Sequence, residues 1–334
     1  MIISGGVVVA LGIIGVLTLS AFPLLVVCAA LVGLGGIIAS SSGIALLADA
    51  TEERARSSRI GQQIALGTMA AFSASVLAGV LASPVAAVFG AHEGDAITLR
   101  ALVGLGGIVG AASAVPILFI RDVPVPPRTA GHAGRLLRRF AAIEIAFGLG
   151  AGSFIPFINL FLADRFGLSF VAIGIALGVI AVAGSLGALV HGRAVAQRLG
   201  VVPSVSSFVI ASLPFALLAA LTGDVLVAVG ALALRALFMF GTQATWSAYQ
   251  LSSFTPAERA TANATLALAW NIAAAIGASA SGAIRGALGP DGFTVNVYVL
   301  ICCYLAGALL QFTLFRGRVP QGDTVVPAWP LEAD

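Results

Sequence analysis

The chain alternates long apolar runs with short polar breaks. A helix needs about 20 mainly apolar residues to cross a bilayer, and on that rule the pattern predicts ten spans: 1–19, 24–48, 61–89, 100–120, 140–162, 170–191, 202–222, 225–250, 264–286 and 295–315. The breaks differ in kind from one end of the spans to the other. Pro23, Gly167, Thr222-Gly223-Asp224 and Gly289-Pro290-Asp291-Gly292 supply turn chemistry at one end, and arginine-bearing breaks stand at the other. The longest break contains prolines that forbid a continuous helix. It divides the chain into an N-terminal bundle of four spans (1–121), a linker (122–139), a C-terminal bundle of six spans (140–316) and a tail (317–334) whose Pro, Gly and acidic residues predict disorder.

Two of the polar breaks resemble one another. TEERARSSR begins at Thr51 and TPAERATAN at Thr255; aligning Glu53-Arg54 with Glu258-Arg259 leaves small residues following both pairs. A polar knot recurring between hydrophobic spans points to two related halves. The halves are unequal in front of the knot, with two spans before the first and four before the second.

Composition changes the picture by exclusion. Hydrophobic residues make up 59% of the chain and charged residues 9%, too few charges to solvate a soluble domain of 334 residues. The 40 glycines and the absence of alternating ten-residue strands favour packed helices over a β-barrel. The expected class is therefore an all-α polytopic membrane protein of about ten transmembrane helices in two bundles. The first run has no basic region before it and a second span follows at once, so it reads as a retained helix.

All 17 basic residues are arginine. Arg54, Arg56, Arg59, Arg121, Arg128, Arg135, Arg138, Arg139, Arg193, Arg198, Arg259, Arg316 and Arg318 fall in the breaks on one side, against Arg100, Arg165 and Arg285 on the other. The positive-inside rule then places both termini and the linker in the cytoplasm. The same distribution speaks of membrane orientation rather than nucleic acid. Cys28, Cys302 and Cys303 lie inside apolar spans without metal-ligand spacing, and His92, His132 and His191 are scattered, so neither a metal site nor a cofactor is expected.

The two halves, the linker and the Glu-Arg breaks resemble the major facilitator superfamily. GLGAGSFIPFINLFLADRFGLS (from Gly148) resembles the seventh helix of that family and its exit loop. GALVHGRAVAQRLG (from Gly187) resembles its second-half loop signature, with Gly187, Arg193, Arg198 and Gly200 in place and His191 and Gly192 where an acidic residue is common. On this mapping the spans correspond to family helices three to twelve, and the N-terminal bundle is incomplete by two. The Gly-Pro signature of many antiporters is missing from GTMAAFSASVLAGVLASP, where Pro84 comes too late.

The resemblance implies a permease of a cell (inner) membrane, a secondary transporter that moves a small solute by alternating access. Proton-coupled efflux of a small organic compound is the leading form. A non-transporting or truncated relative, either a degenerate paralogue or a mis-set start, is the alternative. Partners are then the solute, protons and the lipid bilayer, with the oligomeric state open.

Ionisable groups inside a bilayer are costly and face a cavity or a partner. Arg235, about ten residues into its span, and Glu144, about five residues from the cytoplasmic end of its own, are the two that stand out. Arg235 is suited to attract an anionic group or to satisfy carbonyls of a neighbouring helix. Glu144 is suited to exchange a proton or to pair with linker arginines. Their depths differ by roughly 8–10 Å at 1.5 Å per residue, which argues against a direct pair. Ser153, Asn159, Thr242, Gln243, Trp246 and Asn271 extend the candidate site. Gln243 is expected near the face of Arg235; Trp246 and Tyr249 also suit an aromatic belt, and Asn271 a bond to another helix. Pro156 is the candidate hinge. Small-xxx-small pairs such as Gly106/Gly110 and Gly148/Gly152 predict close helix crossings.

Overall fold

The computed structural model describes residues 2–49, 53–119, 134–191 and 195–317, and every regular element among them is helical. The helices are α1 (Ile2–Thr18), α2 (Phe22–Asp49), α3 (Glu53–Phe89), α4 (Ala96–Ala114), α5 (Gly134–Phe154), α6 (Ile158–Phe166), α7 (Phe170–Val190), the single turn α8 (Ala196–Leu199), α9 (Val201–Leu221), α10 (Val225–Ser252), α11 (Pro256–Leu288) and α12 (Gly292–Phe315). Each of the ten expected spans finds its helix, with α5 and α6 together forming one of them. Among the described residues eight apolar stretches are long enough to cross a membrane, one of which, Thr261–Phe315, holds both α11 and α12; α1 is a shorter apolar helix. The protein is an integral membrane protein of helical class. Most of the linker and nearly all of the tail lie outside the described residues.

The turn chemistry works as the sequence dictates. Gly167 ends α6 at φ 63°, a left-handed cap that a glycine takes without strain. The Asp224 carboxylate accepts from the N–H groups of Leu226 (2.7 Å) and Val227 (3.1 Å), satisfying donors that α10 cannot pair internally. Arg100 closes the turn between α1 and α2 by donating to the Leu19 carbonyl at 2.8 Å.

The helices gather into two compact units, Met1–Pro126 with Leu168–Gly178, and Pro127–Gly167 with Val179–Asp334. In the first, α1 packs on α2 and α4, and α3 on α4. The opening turns of α7 belong here, since a Cβ on Gly79 would meet the Phe170 carbonyl and one on Gly174 the Ser75 carbonyl. Gly106 and Gly110, expected at a crossing, have no neighbour within 4 Å of the place where a Cβ would stand; their spacing marks a smooth helix face rather than a seam.

In the second unit, α5 packs along α11 and α12, and α9 along α10 and α12. The α5–α11 seam is a close one. A Cβ on Gly148 would collide with the Trp270 carbonyl, one on Gly152 with the Ala274 carbonyl, and one on Gly277 with the Leu149 carbonyl. Here the glycine spacing does predict the crossing. A 3-10 turn at Ile155–Phe157, with Pro156 in it, interrupts the span between α5 and α6. The break lies where the missing proline N–H leaves the helix ladder unable to continue.

Candidate functional site

The candidate residues of the second unit separate into two levels along α10. At one level α5 presents Glu144 to α10. Glu144 Oε1 accepts a 2.6 Å hydrogen bond from Gln250 Nε2 and a longer, 3.4 Å one from Trp246 Nε1. Trp246 and Gln250 stand one turn apart on α10, so an i, i+4 pair meets a single carboxylate.

An aromatic group surrounds this knot. Phe140 stacks on Phe315 at 4.3 Å between centroids and meets Trp246 edge-on at 5.6 Å; Trp246 stacks on Tyr249 at 5.5 Å. Trp246 and Tyr249 are buried at 6% and 7% exposure, so they are interior residues and not a lipid-facing belt. Among the described residues the partners of Glu144 are thus neutral donors rather than an arginine of the linker.

At the other level stands Arg235, 5% exposed, its guanidinium carbon 5.4 Å from the centroid of the Tyr304 ring on α12. Trp246 and Gln250 follow Arg235 by 11 and 15 positions, roughly 16–22 Å of helical rise. Glu144 and Arg235 form no ion pair or hydrogen bond with each other, as their different depths suggested. Tyr304 is held by Phe147, edge-on at 5.3 Å, and backs onto Gly150.

The remaining candidates do not join either cluster. Thr242 is buried and returns its hydroxyl to the Met239 carbonyl at 2.7 Å; Asn271 donates to Ala267, one turn back on its own helix, rather than across helices. Gln243 and Asn159 are exposed. Gln243 does not share the buried face of Arg235, because eight residues leave it about 80° away at 3.6 residues per turn. Ser153 is buried in a third knot, donating to Gly150 O at 2.7 Å and to Asn296 O at 3.1 Å, while Asn296 Nδ2 donates to Ser281 Oγ at 2.6 Å.

The loop signatures have a structural explanation in the second half. The Glu258 carboxylate accepts from the Thr255 hydroxyl (2.9 Å) and backbone N–H (3.3 Å), fixing the start of α11. Arg259 Nε donates to the Leu251 and Phe254 carbonyls at 3.1 and 3.2 Å, closing the end of α10. The side chains of Glu53 and Arg54, and all of Arg193, lie outside the described residues; Arg198 is exposed. His191, standing where the family signature is often acidic, is fully buried against Phe208 (4.6 Å), with Nδ1 3.2 Å from Thr245 Oγ1.

Gln250, Tyr304 and Asn296 carry only weak signals in the sequence. Tyr304 lies in an apolar run, ICCYLAG, where one aromatic residue carries no periodic signal. Asn296 sits at the front of its span, where a polar residue reads as a boundary. No group of three or more His, Cys, Asp or Glu suited to a metal occurs among the described residues.

Comparison with known proteins fits this architecture. A bacterial homologue of the iron transporter ferroportin, in an outward-facing state, superposes with a TM-score of 0.61 at 17% identity, over 93% of this chain and 82% of the other. A variant of the E. coli fucose:proton symporter FucP gives 0.61 at 13% identity, over 93% and 83%. A variant of the nucleoside transporter NupG gives 0.64 at 16% identity, over 93% and 82%. At such identities the likeness is one of fold. No curated protein matches the chain. The sequence profile of the Major Facilitator Superfamily matches residues 1–278. The chain therefore belongs to the major facilitator superfamily and is a membrane transporter rather than an enzyme.

Proposed function

We propose that this transporter moves a small organic solute out of the cytoplasm by alternating access, driven by protons that Glu144 takes up and releases. The observation that carries the coupling is the setting of Glu144. It sits in a membrane-spanning helix, bonded to an amide and an indole, with no cation of the described residues in salt-bridge range. A carboxyl held by neutral donors has no countercharge tying it to one protonation state, and its position is fixed in either state by Gln250 and the aromatic group. Both termini and the linker are assigned to the cytoplasm from the arginine distribution, which puts Glu144 near the cytoplasmic end of its span. The FucP neighbour is a fucose:proton symporter, so proton coupling occurs on this fold.

The test uses proteoliposomes loaded with a pH-reporting dye and challenged with a panel of small organic solutes. At least one solute should move the internal pH, and Glu144→Gln should abolish that signal while downhill exchange of the same solute continues. Solute exchange without proton movement in the wild type, or a pH signal undiminished in Glu144→Gln, overturns the coupling.

A further inference from the structure

We infer that Arg235 and Tyr304 form a recognition site for the carboxylate of a small organic monoanion; this rests on the transport reading and names its substrate class. Arg235 Nε is sealed from the surroundings without a hydrogen-bond partner. The two terminal nitrogens also donate to nothing among the described residues, yet they are not sealed, and the same holds for the Tyr304 hydroxyl. A guanidinium fork and a phenol, the ring 5.4 Å from the guanidinium carbon, thus stand side by side with unused donors.

Position and charge decide the ligand. Arg235 is 11 residues past the Asp224 cap of α10, roughly 16 Å into a hydrocarbon layer about 30 Å thick, out of reach of headgroups. A structural arginine at that depth would donate to carbonyls of a neighbouring helix, and this one does not. An unpaired guanidinium in such a place is expensive and stays charged, so an anion completes it. One positive charge balances one negative charge; a doubly charged phosphate would keep an uncompensated charge in the interior. The planar fork matches a carboxylate through paired N–H···O bonds, and the Tyr304 hydroxyl can donate to an oxygen the fork leaves free. Phe147, edge-on to Tyr304, makes the surroundings aromatic and suited to an apolar body.

The experiment follows the thermal unfolding midpoint of the full chain in detergent while sodium benzoate, sodium octanoate, benzamide or inorganic phosphate is titrated. At least one carboxylate should raise the midpoint where benzamide and phosphate do not. Arg235→Gln and Tyr304→Phe should each weaken that response by about tenfold or more, the range expected for losing bonds to a charged group. Arg235→Lys should retain part of it. Equal shifts from benzamide, a stronger response to phosphate, no response to either carboxylate, or an unchanged response in Arg235→Gln overturns the site. Should Arg235→Gln fail to fold, Arg235→Lys and Tyr304→Phe decide: an unchanged response in both overturns it. Exchange of labelled benzoate or octanoate in proteoliposomes separates this inference from the transport reading. Binding with no exchange of either carboxylate or of any solute in the panel supports the site and overturns transport, whereas exchange of neutral solutes with no carboxylate response supports transport and overturns the site.

Discussion

Arg259 and Glu258 show what a charged pair does at a helix junction. Glu258 ties itself to Thr255 at the start of α11, and Arg259 reaches back to two carbonyls at the end of α10, so adjacent side chains serve opposite helix ends. Both are partly exposed, which limits what their charges contribute. Arg259→Ala should lower stability by about 1 kcal/mol, chiefly from the unpaired carbonyls, and Thr255→Ala by a similar amount. Thermal unfolding in detergent reads both, and a change in solute specificity in either variant would contradict so local a role. This pair is visible in the sequence because capping has fixed spacing. Tyr304 and Asn296 are not, because their partners stand on other helices, at no fixed spacing.

Along the α5–α11 seam whole helices meet. Gly148, Gly152 and Gly277 let each backbone lie against the carbonyls of the other, and Gly152→Val would place two methyl groups where Ala274 stands. Overpacking of this kind costs about 1–3 kcal/mol, and the expected result is a lower unfolding midpoint with poor recovery of folded protein. Gly106→Val, on a face with nothing within 4 Å, should leave both unchanged. The same spacing in the sequence thus has two outcomes, and only the partner helix decides between them. Periodicity tells where helices lie, since the bilayer fixes their length and polarity. It does not tell which faces meet, because lipid and protein interiors are equally apolar and leave no contrast to read.

For the molecule as a whole, span number and class are legible because only a few structures keep their backbone bonded inside hydrocarbon. Orientation rests on the arginine count and has its own check. With Cys28, Cys302 and Cys303 replaced, a cysteine at the exposed turn residue Gly223 should react with an impermeant thiol reagent added outside intact cells, and one at Ser57 only after the membrane is opened. The reverse pattern would invert the topology and move Glu144 to the outer end of its span. The glycine seam bears on such a molecule in another way. Its contacts are backbone against backbone, without an ionisable group among them, so salt and acidity have nothing in it to act upon. A seam assembled by shape alone would stay indifferent to the proton exchange and the anion binding proposed above.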